Sequence, residues 1–401
     1  MKKYAVLILI PFIFLSCSDK KTAILWSSNK EAVNIAELYN NSNDEYRIIF
    51  QYKENLTASF INAEEKPDIL IGKDLQNNEI MSKLLSLDNF YRNGLSDGKD
   101  IFASLLDGTL YNDQKHLVPL SFAMSTAVFM KNSKRIDRNY PSIELNQMMS
   151  NSVKFNEDVT KKGYSPLWDE GFLYAILDLF DSSFVPSPTG SLAWNENRLS
   201  AALNFIKEWN ESNGGSEEMK LFDSKYMYDN RIKILKEERI LFTYMNSTDF
   251  MELSDSTNID LDFLYISNDH TLHPEQIVYG GIYKKTNAYK ASYDFLSWMM
   301  SNKTQQMIIG KSLQNKSASF GILGGFSSLI AFNDRILSSY YPRLKGKIPE
   351  PRYLQSQGKK PAEFDTVKSE LIIPWAEEAV HGSLSDLADA LEKWEKLRIP
   401  Y

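Results

Sequence analysis

The sequence predicts an α/β protein built as two lobes. Its 401 residues exceed the usual size of one domain. From residue 23 onward, short apolar runs of strand character alternate with stretches of helical spacing. Hydrophobic residues make up 43% of the chain, enough to fill the cores of two such lobes, and no internal repeat argues for a solenoid instead.

Each element follows from local pattern. Ala23-Ile24-Leu25-Trp26 is an apolar run that stops at Ser27-Ser28-Asn29. Lys30 to Tyr39 carries Val33, Ala36 and Leu38 at helical spacing. Tyr46 to Tyr52 and Pro67 to Gly72 are the next strand candidates. Strand, helix, strand at this spacing predicts βαβ units and a parallel sheet, whose ligands bind at the carboxyl ends of the strands. The middle is more helical, over Trp168–Phe180, Asn197–Ser212 and Asp229–Lys236, with a loop at Ser212-Asn213-Gly214-Gly215-Ser216. Strand character returns over Ile240–Met245, Leu261–Ile266 and Ile277–Tyr283. Thr286 is placed to cap a helix that buries Ala288, Ala291, Phe295 and Met299. Ser383 and Asp386 have the spacing of a capping box before a helix with Leu384, Leu387, Ala388, Leu391 and Trp394 on one face.

The N-terminus reads as an export signal. Met1-Lys2-Lys3 is basic, and Tyr4–Leu15 is an apolar stretch of 12 residues, too short for the roughly 20 that span a bilayer. Ser16 then precedes Cys17, the single cysteine of the chain. One cysteine cannot form an internal disulfide. Its position resembles the acylated cysteine of a bacterial lipoprotein, although Phe14-Leu15-Ser16-Cys17 departs from the strict lipobox. Residues 1–16 are therefore expected to be a signal peptide and 17–21 a tether, with Cys17 lipidated. Dual acylation would anchor the chain stably.

The formal charge is −7, and without residues 1–16 the balance is 43 basic against 52 acidic residues. No Lys/Arg stripe offsets it, which argues against nucleic acid as a partner.

Several passages, taken in order, carry a family resemblance. They are Ile24-Leu25-Trp26-Ser27-Ser28-Asn29, Lys66-Pro67-Asp68-Ile69-Leu70 and Leu110-Tyr111. Next come Leu117-Val118-Pro119-Leu120-Ser121-Phe122, Val128-Phe129-Met130-Lys131-Asn132, and Ala201–Phe205 with Trp209. Gly280-Gly281-Ile282-Tyr283 with Ala291–Met300, and Trp375, Ala379, Gly382 and Ala390-Leu391, complete the series. In this order they resemble the extracellular solute-binding proteins of ABC importers, family 1, over nearly all of residues 22–401. The resemblance implies a type II periplasmic-binding-protein fold, with two discontinuous α/β lobes closing on a solute. It sets the lobes at 22–128 plus 279–326 and 129–278 plus 327–401. It further implies a monomeric, non-enzymatic protein without cofactor, held at the periplasmic or other extracytoplasmic face of a membrane. That protein would pass a mono- or oligosaccharide to permease subunits. A polyol, polyamine or other small solute is the alternative ligand.

Candidate ligand contacts follow from strand ends and from the resemblance. Trp26, Ser27, Ser28 and Asn29 lie where a strand gives way to a helix. Some sugar binders of the family have an acidic pair here, so their sugar contacts do not transfer directly. Ser121 and Phe122 lie beside the expected crossover. Trp168, Asp169, Glu170 and Phe172 resemble the segment that supplies a carboxylate and a ring to sugar, and helix-start packing is their bland reading. Tyr244 and Asn246 end a strand. Tyr279, Gly280 and Gly281 could let backbone approach a ligand, or could serve the hinge alone. Trp375 is placed by the resemblance, with core packing as its rival. Lys73 and Asp74 read as a solvated loop. Trp26 and Trp168 are expected to face the cleft from opposite lobes and stack on the sugar.

Catalytic and metal motifs are poor. The four histidines lack zinc-site spacing, with only His270 and His273 close together. No Gly-x-Ser-x-Gly elbow or phosphate loop occurs. A glycosidase using Asp169 and Glu170 would need two carboxylates facing each other across a sugar, and adjacent residues point apart. An adhesin or sensory lipoprotein on the same fold is the remaining alternative.

Overall fold

A computed structural model describes residues 20–398, apart from 96–97, 188–190, 227, 254–256, 258, 316–318, 362 and 383–385. The predicted signal segment, including Cys17, and part of the Ser383 capping box lie outside the described residues.

The first elements are β1 (Lys21–Ser27), α1 (Ala32–Ser42), β2 (Tyr46–Tyr52), α2 (Leu56–Asn62) and β3 (Ile69–Gly72). β1 pairs in parallel with both β2 and β3, as the βαβ spacing predicts. α1 buries Ala32, Ile35, Ala36 and Tyr39, spaced to form one helical face.

β4 (Val118–Met130) joins the two lobes. Twelve of its 13 residues are buried. Its first half pairs antiparallel with β8 (Pro274–Ile282), which in turn pairs with β3. Its second half pairs with β6 (Thr243–Asn246) and β7 (Leu261–Ser267), and β7 pairs in parallel with β5 (Ser142–Glu144). β9 (Phe326–Ser327) adds to β4 at Phe122 and Ser121. The order β2-β1-β3-β8-β4-β7-β5 therefore runs unbroken through both lobes.

Alternation along the strands sorts the cores. Leu25 joins the cluster of Ile35, Tyr39, Ile71 and Phe295 on one face of the first lobe. Trp26 joins Leu56, Phe60, Leu70 and Tyr279 on the other. The second lobe is filled by Phe129, Phe172, Trp209, Phe242 and Leu264. Its helices include α3 (Leu145–Phe155), α4 (Glu170–Leu179), α5 (Glu196–Ser212) and α6 (Gly215–Tyr226), and α7 (Ser247–Met251) follows β6. The helix predicted after Thr286 is α8 (Tyr289–Met299), where the Thr286 hydroxyl accepts the Ala288 N–H at 2.9 Å. The loop predicted over 212–216 is shorter than expected. α6 starts at Gly215, and the turn is closed by Asn213, whose side chain donates to the Tyr164 carbonyl at 2.7 Å.

Candidate ligand-binding site

A cavity of about 610 Å³ opens between the lobes. On the second lobe, α4 supplies one wall. Asp169 caps it, accepting the Phe172 N–H at 3.0 Å. Glu170, Tyr174 and Asp178 recur every fourth residue, so they share a helical face and line the cavity. The opposite face sends Phe172, Leu173 and Ile176 into the core.

β6 and β8 form the floor. Tyr244, Met245 and Asn246 come from β6. The register of β8 against β4 shifts between Glu275 and Val278, and Gln276 sits at φ 50°. This bulge presents both Glu275 and Gln276 to the cleft. Glu275 accepts the Tyr244 hydroxyl through Oε2 at 3.3 Å, while its buried Oε1 has no protein partner. Burial pushes the Glu275 carboxyl up to about 7, with Lys368 and Tyr244 pulling the other way.

The first lobe contributes Lys73 and Asp74, directly after β3. Asp74 adopts φ 63° and faces Asp365 of α9 (Phe364–Val367) across the cleft. Burial and the Asp365 charge push Asp74 up to about 7. Burial alone would raise Asp365 too, but the Lys368 ammonium at 2.9 Å and the Asp74 carboxyl hold it low. Deeper in the cavity, Asp178 accepts from His273 at 2.7 Å and Gln357 at 2.5 Å, with Lys360 3.8 Å away. Burial would depress His273, but Asp178 outweighs it and raises the imidazole.

Two further spaces open off this chamber. One, of about 880 Å³, runs between the α2 side of the first lobe and Pro361, residues 363–367, Leu391 and residues 394–395. The other, of about 260 Å³, lies behind Lys73, where Ser121 and Phe122 of β4 meet residues 319–325.

The predicted contacts divide. Asp169, Glu170, Tyr244 and Asn246 line the main chamber, Ser28 the large side space, and Asn29, Ser121 and Phe122 the small recess. The others line none of these spaces. Trp26 is 7% exposed, donates to Gln51 at 2.8 Å and carries the Lys53 ammonium 4.2 Å from its ring centre. Trp168 stacks on Phe222 at 4.8 Å and meets the edge of Tyr164 at 5.6 Å. The two rings expected to oppose each other across the cleft are therefore packing groups. Ser27 is buried and accepts the Asn29 N–H at 3.0 Å. Phe172 is buried among Tyr164, Trp209 and Tyr244. Tyr279 is buried in the first lobe. Gly280 and Gly281 serve close packing, since an added Cβ would lie 3.0 Å from Leu296 or 2.7 Å from Leu84. Trp375 packs against the second-lobe core.

Lys73 and Asp74, read from sequence as a solvated loop, line the interlobe spaces, with Lys73 exposed and Asp74 half-buried. Tyr174, Glu275, Gln357, Lys360, Phe364, Asp365 and Lys368 also line the chamber and are not singled out by the sequence. The spacing Glu170, Tyr174, Asp178 was the available signal: polar residues on one face of an otherwise apolar helix. Among the described residues no group of three or more His, Cys, Asp or Glu is placed to hold a metal ion.

No protein-family model matches the sequence, and no curated protein matches it. Solved structures do. The sugar-binding protein MalE from Xanthomonas citri superposes with a TM-score of 0.68 at 14% identity, covering 94% of this chain and 96% of its own. The chain has the fold of ABC-transporter sugar-binding proteins. An ABC substrate-binding protein from Listeria monocytogenes in complex with cycloalternan matches at TM-score 0.66 and 13% identity, over 94% and 98% of the two chains. The cyclic alpha-maltosyl-1,6-maltose binding protein from Arthrobacter globiformis gives 0.66 at 17% identity, over 94% and 97%. The two-lobed α/β architecture expected from sequence is thus the one observed.

Proposed function

We propose that the protein is the solute-capturing component of an ABC importer, taking a mono- or oligosaccharide between its lobes and delivering it to permease subunits. The observation that carries this reading is the chamber itself. It lies between the lobes of a fold whose relatives in shape bind sugars, and it offers Tyr174, Tyr244 and Phe364 beside several carboxylates. Sugar hydroxyls need such acceptors, and sugar C–H faces need such rings. The contacts come from both lobes, so a bound solute would favour the closed form.

A thermal-shift series against mono- and oligosaccharides tests the reading. A sugar at a hundredfold excess over its Kd stabilises the native state by about 2.7 kcal/mol. Failure of every sugar to raise the melting temperature would overturn the sugar assignment.

The same reading places the protein on the extracytoplasmic side of a membrane, as a monomer held by lipid on Cys17. No helix among the described residues is long and apolar enough to cross a bilayer. Cys17→Ala is expected to shift the protein from the detergent phase to the aqueous phase in detergent partitioning, or to block its processing. A variant that partitions and matures as the wild type does would exclude the anchor.

A further inference from the structure

The small recess behind Lys73 differs in chemistry from the main chamber. Its volume is about 260 Å³, and it shares Lys73, Asp249 and Gln276 with the main chamber, so one solute could reach into both. Glu31 enters from the start of α1 and Glu252 from the end of α7, with Asp249 at the mouth. Among the described residues Lys73 is the one Lys or Arg on the lining, and its ammonium is hydrogen-bonded to Gln276 at 2.8 Å.

Two carboxylates share the recess, Glu31 and Glu252, with Ser319 also on the lining. Glu252 accepts the Phe320 N–H at 3.0 Å through Oε1. Burial, with the Glu252 charge adding to it, already pushes Glu31 up to about 6. Ser121 supplies the independent sign of a missing guest. It is 1% exposed, lines the recess, and its Oγ has no protein partner. A buried hydroxyl left unpaired carries a desolvation cost that a ligand atom would relieve.

We propose that this recess receives an ammonium group of the solute, so that the preferred ligand is an amine-bearing sugar. This rests on the cleft being the solute site. Glu31 and Glu252 would accept two of the three ammonium protons, and Ser121 Oγ the third or a neighbouring hydroxyl. A neutral sugar would offer the carboxylate pair hydroxyl donors but no charge.

Titration calorimetry with the purified protein tests this, using a β-1,4-linked glucosamine trisaccharide, maltotriose and spermidine as probes. The glucosamine trisaccharide is expected to bind about tenfold or more tightly than maltotriose, the scale of a charge-assisted hydrogen bond. Glu31→Gln and Glu252→Gln should collapse that ratio. The ratio is the readout because a general loosening of the cleft alters both affinities alike, and ligand-free melting confirms that each variant is folded. Equal binding of the two sugars, or a ratio that survives both substitutions, overturns the recess and leaves the sugar reading intact. If neither sugar binds, the preference for an amine-bearing sugar fails, while the sugar reading falls only with the wider thermal-shift series. Spermidine binding lost in both variants would then still support the ammonium recess, and its absence would overturn the recess as well.

Discussion

Trp168→Ala lowers folding stability by about 3 kcal/mol and leaves the affinity of the folded molecule for its ligand unchanged. The ring lies flat on Phe222, meets Tyr164 edge-on and has the Arg231 guanidinium 5.1 Å from its centre. None of these partners is a ligand atom, and Trp168 lines no wall of the interlobe spaces. Trp26→Ala behaves the same way, because its ring belongs to the first-lobe core with Leu56 and Phe60. Urea denaturation and calorimetric binding on the same variants check both. An unchanged melting midpoint with a tenfold weaker affinity would return these rings to the binding site.

Glu275→Gln makes the protein more stable at pH 8 by about 1–3 kcal/mol, with little change at pH 4. The wild-type carboxyl titrates near 7 when folded and from 4.5 when free of the fold. Between those values the folded chain holds a proton that the unfolded chain has released, so stability falls as pH rises through the window. Above about 7 both states are ionised and the loss is complete. Lys368, Tyr244 and Ser125 favour the Glu275 charge, but they do not offset its burial, to which the Asp178 charge adds. Gln keeps the shape and removes the charge. Asp74, also raised to about 7, and Glu31, raised to about 6, add loss of the same sign. The pH slope of the variant should therefore be shallower without being flat. Equilibrium unfolding at pH 4, 6 and 8 measures it, and identical slopes in variant and wild type would mean that the Glu275 charge is solvated.

The elements legible in the sequence are those set by neighbours along the chain. The runs around Leu25, Ile48 and Ile69 read as strands, and Thr286 marks the approach to α8, where its hydroxyl accepts the Ala288 N–H. Of the residues at strand ends, Ser28, Asn29, Tyr244 and Asn246 all line the interlobe spaces. Which face a residue occupies at such an end is another matter. Trp26 and Ser27 are neighbours on one strand, yet a period of two sends them to opposite faces, and only the packed sheet says what covers each.

By itself, then, the sequence determined the α/β class, the parallel βαβ start and the negative charge that argues against a nucleic-acid partner. The membership of the site was decided by tertiary structure. Lys73, Tyr174, Glu275 and Asp365 lie on four segments far apart in the chain and meet only when β4 and β8 bring the lobes together. A polar residue after a strand looks solvated in sequence whether it faces water or a cleft. Its neighbours in space, which fix its burial, its charge and its partners, are absent from the local pattern. The physical reason is range: periodicity and capping act within a few residues, whereas burial depends on every segment that closes around a side chain.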